Sequence, residues 1–227
     1  MRANLPIVMA ARDALDHLRD GNRRFVASQA TASVVPSPAH RAALVAGQAP
    51  FAIVLGCSDS RVPAELVFDQ GFGDLFVIRV AGNIVAPSQI GSVEFAASRF
   101  GTRLVVVMGH SQCGAILATM DDVLGRASTH SHNVRFIVDW IRPAVETVVS
   151  RRNGTDPSRV MQDAVRANVR AAVDHLRHGS ALIEQLVRND ALLVVGAEYS
   201  LETGVVSFFD VPDLTPAPRC ANRGRDR

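Results

Sequence analysis

Residues 51–56 read FAIVLG, a continuous apolar run that passes directly into CSDSR at 57–61. Runs of the same kind lie at 75–80 (LFVIRV), 104–109 (LVVVMG) and 191–196 (ALLVVG). Continuous apolar runs of this length are typical of parallel strands that are covered on both faces. The segments between them have helical periodicity, as at 88–100 behind Ser88. This alternation predicts an α/β fold with a mostly parallel central sheet flanked by helices.

The N-terminal part of the chain predicts helices rather than strands. Apolar residues at 10–28 have near-helical spacing that is interrupted at Gly21, which predicts an amphipathic segment. This segment belongs to an N-terminal helical arm, residues 1–36. A second, short helix is expected from Pro38, behind the capping residue Ser37.

The C-terminal half predicts two long helices and a hairpin. Helical patterns with polar open faces cover residues 134–152 and 157–188, and Pro143 is expected to break or kink the first of them. The tripeptide ETG at 202–204 forms a turn before VVSFFD at 205–210. The sheet is therefore expected to end in a hairpin at its edge.

The composition favours one domain with a sizeable core. The 227 residues are 48% apolar with a mean hydropathy of +0.14, and we expect a single domain over residues 1–218. All 24 basic residues are Arg, which excludes Schiff-base, pyridoxal and P-loop enzymes because each needs a lysine. Several Arg residues cluster at 219–227, where a disordered tail is expected. The remaining chain is near neutral, so no nucleic-acid partner is expected.

The cysteine count and the N-terminal apolar run help to predict the cellular location of the protein. Cysteines at 57, 113 and 220 are too few and too scattered for the disulfide framework of a secreted protein. The apolar run at 5–11 contains Pro6 and is too short to span a membrane. We expect a cytoplasmic protein with no membrane partner, and a trimmed export signal stays open.

Two of the predicted strands end in residues that bind soft metals. The run at 51–56 leads into Cys57, and the run at 104–109 leads into His110 and Cys113. Because ligands bind beyond the carboxyl ends of parallel strands, these side chains would share one crevice if their strands are neighbours. Two thiolates and one imidazole leave one position of a tetrahedral Zn²⁺ open, as in catalytic sites. The pattern favours one zinc ion per chain.

Asp59 and Arg61 follow the first of these cysteines closely. A Zn²⁺ ion with two thiolates is formally neutral, so it can take one anion, either hydroxide or the Asp59 carboxylate. Arg61 is the competing partner, because a guanidinium can hold a carboxylate at two points. The residues alone leave both arrangements open.

Other interpretations of these residues also stay open. Buried cysteines are often small core residues without a ligand. His130 and His132 lie in a polar stretch, and His175 and His178 lie on a predicted helix among Arg residues. Either pair could pass protons to buffer or simply be solvated.

Three motifs resemble those of the bacterial β-class carbonic anhydrases. They are CSDSR at 57–61, DLFVIRVAGN at 74–83 and GHSQCGA at 109–115, and the likeness extends from residue 21 to residue 204. The resemblance implies a zinc-dependent lyase that catalyses the reversible hydration of CO2 to bicarbonate and a proton.

The same resemblance implies roles for individual residues. Cys57, His110 and Cys113 would bind the zinc ion, and Asp59 with Arg61 would form a catalytic dyad that orients zinc-bound hydroxide. In a closed state at low pH, Asp59 would itself bind the metal.

The resemblance also implies a substrate pocket between subunits. Gln48 would donate to a substrate oxygen, Phe76 would form an apolar wall, and the backbone N–H of Gly114 would bind an oxygen. Phe95 matches a wall position that the neighbouring subunit supplies. The implied assembly is a homodimer or a dimer of dimers.

One branch of the family has a regulatory bicarbonate site that uses a Trp three residues before the first zinc ligand. Val54 occupies that position here, whereas the accompanying Arg and Tyr correspond to Arg79 and Tyr199. We therefore expect no strong bicarbonate inhibition of that kind. Arg79 is also the main candidate for a second buried Arg role beside Arg61.

Two further functions are compatible with these residues. Hydrolases of carbonyl sulfide or carbon disulfide have the same fold and zinc ligands. A zinc-stabilised binding or redox-sensing module without enzymatic activity is the other alternative.

Overall fold

The four apolar runs form strands of one five-stranded sheet. The strands are β1 (Ala52–Gly56), β2 (Leu75–Arg79), β3 (Leu104–His110), β4 (Leu193–Tyr199) and β5 (Val206–Phe209). Their order is β2-β1-β3-β4-β5. The first four run parallel, and β5 pairs with β4 in the antiparallel direction. The predicted mostly parallel sheet and its edge hairpin are confirmed.

The computed structural model describes residues 8–31, 36–126, 130–151 and 156–212. Within these ranges the helices are α1 (Ala11–Val26), α2 (Pro38–Leu44), α3 (Ala64–Val67), α4 (Pro87–Arg99), α5 (Gly114–Val123), α6 (His132–Ser150), α7 (Pro157–His178) and α8 (Ala181–Arg188). None of these helices is long and apolar enough to cross a membrane. Parts of the expected arm 1–36 and the whole expected tail 219–227 lie outside the described residues.

The sheet is covered on both faces, as its continuous apolar strands require. Alternate residues of β1, β3 and β4 pack on one face against α1 and α3. The other residues pack on the opposite face against α4, α7 and α8. A third apolar cluster contains Cys57 and Cys113 and lies among α5, α6 and α7. The carboxyl ends of β1 and β3 are thus enclosed by helices.

The N-terminal helix differs from the expectation at Gly21. Helix α1 is continuous from Ala11 to Val26, so the interruption expected at Gly21 was wrong. Gly21 is buried, and a Cβ atom at this position would lie 1.8 Å from the carbonyl oxygen of Phe68. The glycine therefore allows α1 and the segment after α3 to approach closely. This packing outweighs the low helix propensity of glycine.

Two further local expectations hold only in part. The helix expected at 88–100 is α4, but it begins one residue earlier, at Pro87, so that Ser88 lies inside the helix and its hydroxyl donates to the side chain of Gln89. Helix α6 continues through Pro143 without a break. Buried side chains on both sides of the proline, such as Ile141 and Val145, hold the two halves against the same core. This packing outweighs the roughly 3 kcal/mol cost of an interior proline.

We predict that Gly21→Ala destabilises the protein by about 2–4 kcal/mol, because the added methyl group must displace a backbone carbonyl. Chemical denaturation at a fixed zinc concentration measures this loss. Asp16→Ala, on the exposed face of the same helix, serves as the control and should change stability by less than about 1 kcal/mol. Equal stability of Gly21→Ala and wild type would contradict the close approach.

Candidate metal centre

Three soft donor groups converge at the carboxyl ends of β1 and β3. The two strands are parallel neighbours, with Gly56 opposite Met108. Cys57 follows β1, His110 ends β3, and Cys113 precedes α5. Their donor atoms all lie within 4.8 Å of one another, and all three residues are buried. Among the described residues this is the one group of three or more His, Cys, Asp and Glu side chains with metal-binding spacing.

The geometry of these donors fits a tetrahedral metal ion. The Cys57 and Cys113 sulfurs are 4.0 Å apart. Two sulfurs bound to one tetrahedral zinc at ~2.3 Å would lie roughly 3.8 Å apart. Nε2 of His110 is buried and has no hydrogen-bond partner among the described residues. Such an atom needs a partner, and a cation supplies one.

The ring of His110 is oriented by its other nitrogen. Nδ1 lies 2.9 Å from the carbonyl oxygen of Ser111, to which it can donate. This bond favours the tautomer in which Nε2 carries a free lone pair and can ligate a metal. Ser111 is itself held, because its backbone N–H donates to the Tyr199 carbonyl and its hydroxyl accepts from the Leu201 N–H.

The charges of the three donors are strongly coupled. The Cys113 thiol stabilises the Cys57 thiolate and, with His110 and the Gly82 N–H, lowers the pKa of Cys57 to about 4 against the opposing effect of burial. The hydrogen bond with Cys57, burial and the charge on Cys57 raise the pKa of Cys113. Burial opposes ionisation of His110, but the contact with Cys57 outweighs it and raises the His110 pKa. A divalent cation favours both thiolates and a neutral imidazole, so binding releases protons.

Asp59 and Arg61 form a two-point ion pair beside the cysteine and histidine donors. Nε and Nη2 of Arg61 donate to the two carboxylate oxygens of Asp59 at 2.9 and 2.8 Å, and the Arg61 backbone N–H adds a third bond at 2.9 Å. These bonds hold the pKa of Asp59 well below its usual range. Its Oδ2 lies 3.9 Å from Nε2 of His110. In this structure the carboxylate therefore binds the guanidinium, while one oxygen faces the candidate metal site.

A second guanidinium holds the backbone of the same loop. Arg79, the last residue of β2, donates from Nε to the carbonyl oxygen of Cys57 at 3.0 Å and from Nη2 to that of Asp59 at 2.5 Å. The expected buried role was wrong in one respect, because Arg79 is exposed in the chain. Its bonds nevertheless fix the main chain at one donor and at the ion-paired carboxylate.

The turn that follows β2 supplies a contact that the sequence did not predict. In this turn, Ala81–Asn83, the backbone N–H of Gly82 lies 3.4 Å from the sulfur of Cys57. The motif at 74–83 is one of the three that carry the family resemblance, but its side chains did not predict a contact between this turn and Cys57. A backbone donor leaves no side-chain signal in a sequence.

Gly114 is the first residue of α5, and Cys113 precedes it in extended conformation. The backbone N–H groups of Ala115 and Ile116, in the first turn of α5, favour the ionised form of the Cys113 thiol. The N-terminus of this helix therefore presents donors toward the candidate metal site.

The other residues predicted for the substrate pocket belong to different segments of the chain from the three donors. Gln48 is exposed in the segment between α2 and β1. Phe76 lies opposite Ile53 in the sheet and contacts Phe95, with ring centroids 6.3 Å apart. Phe95 is 55% exposed on α4. The assignment of these residues to the substrate pocket stays a prediction.

The residues considered for a regulatory bicarbonate site or for proton transfer have other surroundings. Val54 and Tyr199 are buried in the core cluster on the α1 side of the sheet. Nε2 of His130 lies 3.8 Å from Asp122. The ring of His175 meets that of Trp140 edge to face at 5.1 Å.

Sequence comparisons place the chain in a known family. A family model described as carbonic anhydrase matches residues 52–206. Carbonic anhydrase 2 of Mycobacterium tuberculosis is 39% identical over 187 residues, which cover 82% of this chain and 87% of that protein. Carbonic anhydrase of Mycolicibacterium smegmatis is 39% identical over 193 residues, which cover 84% and 89%.

Solved structures agree with the fold. The β-carbonic anhydrase CcaA has a TM-score of 0.65 at 25% identity, covering 86% of this chain and 95% of its own. The β-carbonic anhydrase CafA of Aspergillus fumigatus has a TM-score of 0.69 at 22% identity, covering 78% and 83%.

The sheet and its buried Cys-His-Cys cluster define an α/β protein with the donor set of a metal-dependent enzyme. The chain belongs to the carbonic anhydrase family, and within it to the β class, whose members are lyases. The resemblance seen in the three sequence motifs is thereby confirmed.

We predict that the purified protein binds one zinc ion per chain and that Cys113→Ser lowers the bound zinc to a small fraction, because two donors do not suffice for a stable site. Elemental analysis after dialysis measures the ratio of zinc to protein. Cys220→Ser is the matched control and should keep the full zinc content. Full occupancy in Cys113→Ser would contradict the donor assignment.

Proposed function

We propose that this protein catalyses the reversible hydration of CO2 to bicarbonate and a proton, with one zinc ion held by Cys57, His110 and Cys113. The observation that carries the proposal is the buried Cys-His-Cys cluster, with donor atoms within 4.8 Å, next to the Asp59–Arg61 pair. Membership of the carbonic anhydrase family supports the choice of substrate.

When bound, zinc would supply Lewis-acid chemistry that makes water a nucleophile near neutral pH. In carbonic anhydrases with three histidine ligands, this chemistry lowers the pKa of water to about 7. Three protein donors leave one position for this chemistry. The surrounding apolar cluster, which includes Ile84, Ile116 and Ile141, limits the access of bulk water from the protein side.

Asp59 is the residue that we assign to orienting the reacting water. Three bonds from Arg61 fix the carboxylate and keep it ionised, so that it accepts a hydrogen bond and directs a lone pair of the water oxygen toward CO2. Asp59 cannot serve as a general base at neutral pH, because its lowered pKa makes it a poor proton acceptor. At low pH, Asp59 could leave Arg61 and bind the metal in a closed state.

We assign the substrate pocket to two subunits. CO2 is apolar and uncharged, so it needs an apolar wall and one or two donors. Phe76, the side chain of Gln48 and the N–H of Gly114 are assigned to this pocket together with Phe95 of the partner subunit. The exposure of Phe95 in the single chain supports this assignment.

The proposed assembly is a homodimer or a dimer of dimers. Two related β-carbonic anhydrases of Sordaria macrospora are tetrameric. We propose a cytoplasmic location, because the paired thiols of Cys57 and Cys113 must stay reduced to bind zinc. Since Val54 replaces the Trp of the regulatory branch, we further propose that bicarbonate does not inhibit strongly through that site.

We predict that Asp59→Asn lowers kcat/KM for CO2 hydration by about 10²-fold or more while the zinc content stays at one per chain, because the amide cannot orient the water in the same way. Stopped-flow indicator assays and elemental analysis measure the two quantities. Arg61→Lys should also lower kcat/KM, since an ammonium cannot make the two-point contact.

Asp174→Asn serves as the control, because it changes an exposed carboxylate on α7 and should leave kcat/KM unchanged. Zinc-loaded wild type that releases sulfide from carbonyl sulfide or carbon disulfide, but does not hydrate CO2, would favour the hydrolase alternative. Zinc-loaded wild type without either activity would favour a binding or redox-sensing module.

The shared pocket can be tested by mixing two inactive variants. Phe95→Ala and Cys113→Ser should each have low activity, and subunit exchange should restore about one quarter of wild-type activity. Random pairing makes half of the dimers mixed, and each mixed dimer has one intact site if Phe95 lines its partner's pocket. No recovery after verified exchange would place Phe95 in its own subunit's site or outside the pocket, and would contradict the shared pocket.

A further inference from the structure

A buried amide on α7 is connected to the candidate metal centre through the Ala81–Asn83 turn. Asn168 is 4% exposed, and its Nδ2 donates to the carbonyl oxygen of Gly82 at 2.8 Å. The backbone N–H of the same glycine lies 3.4 Å from the sulfur of Cys57. One residue of the turn therefore receives a bond from α7 and gives one to a metal-binding thiol.

The helix that carries Asn168 is also fixed relative to the histidine donor. Gly109 directly precedes His110, and a Cβ atom at Gly109 would lie 2.7 Å from Val169 and 3.0 Å from Val165. The helix can approach β3 this closely only because position 109 has no side chain. Helix α7 therefore contacts the end of β3 directly, and through Asn168 it also contacts the Ala81–Asn83 turn beside Cys57.

An amide at position 168 is not explained by packing. Its helix neighbours Val165, Val169 and Ala172 are all buried and apolar, so a leucine would suit the surroundings as well. Asn has a lower helix propensity than leucine, and burying its amide is costly unless it is hydrogen-bonded. The bond to Gly82 is what offsets this cost.

We propose that Asn168 is a positioning residue for the metal centre: it holds Gly82 so that the backbone N–H stays directed at the Cys57 sulfur. A donor at this sulfur reduces the charge that the thiolate gives to a metal and restricts where the sulfur lies. The inference rests on the proposed function, because it assumes that zinc binds Cys57, His110 and Cys113.

The test compares two buried asparagines in the metal-loaded protein. Asn168→Leu removes the donor and keeps the number and branching of the side-chain heavy atoms. Asn22→Leu is the matched control, since Asn22 is 5% exposed and its Nδ2 donates to the carbonyls of Val67 and Gly204, away from the thiols. Cobalt replaces zinc so that the thiolate-to-cobalt charge-transfer bands report on the sulfur donors, and zinc affinity is measured by competition with a chelator.

We expect Asn168→Leu to shift the charge-transfer bands and to weaken zinc binding about 10- to 100-fold, as is typical when an outer-shell partner is removed. Asn22→Leu should lose stability but keep both properties. If the leucine variants do not fold, Asn168→Ala and Asn22→Ala provide the same comparison, and Asn168→Gln, which retains the donor, should recover part of the zinc affinity.

Unchanged bands and zinc affinity in a folded Asn168→Leu or Asn168→Ala protein would overturn the inference and leave a structural role only. Equal shifts in the Asn22 and Asn168 variants would overturn it too, because the effect would then follow from general loosening. Wild-type protein that binds neither cobalt nor zinc would instead overturn the proposed function, and this inference with it.

Discussion

The parallel pairing of β1 with β3 is the constraint on which the site depends. With Gly56 opposite Met108, Cys57 and His110 emerge at the same edge of the sheet, although 52 residues separate them in the chain. A shift of one residue in this register would turn the side chains of one strand to the opposite face. The apolar cores on both faces resist such a shift, because every buried side chain of the strand would lose its place.

The electrostatics of the site follow from two cysteine side chains placed close together in a largely apolar setting. Cys57 and Cys113 cannot both ionise at 4.0 Å without a cation, which explains why one pKa is lowered and the other raised. The chain has no lysine, and guanidinium groups hold the loop instead. Arg61 binds the Asp59 side chain, while Arg79 binds the backbone. Planar groups with several donors suit both tasks better than an ammonium.

Local patterns predicted the elements well where hydrophobic periodicity governs the fold. The four apolar runs became strands, and Ser37 caps the short helix α2 through its bond to the His40 N–H. The errors arose where distant packing overrides local preference. Gly21 lies inside a continuous helix because a carbonyl of another segment approaches it, and Pro143 lies inside α6 because a shared core holds both sides.

The sequence by itself determined the fold class, the three soft donors and the presence of Asp59 and Arg61 next to the first donor, because apolar runs and donor side chains are properties of individual residues and their spacing. Only the tertiary structure decided that the donors meet, that Asp59 faces Arg61 with both oxygens, and that Arg79 binds the backbone from an exposed position. It alone revealed the link from Asn168 through Gly82 to Cys57. Backbone donors and contacts between distant segments leave no local signature, since they depend on how helices pack against the ends of the strands.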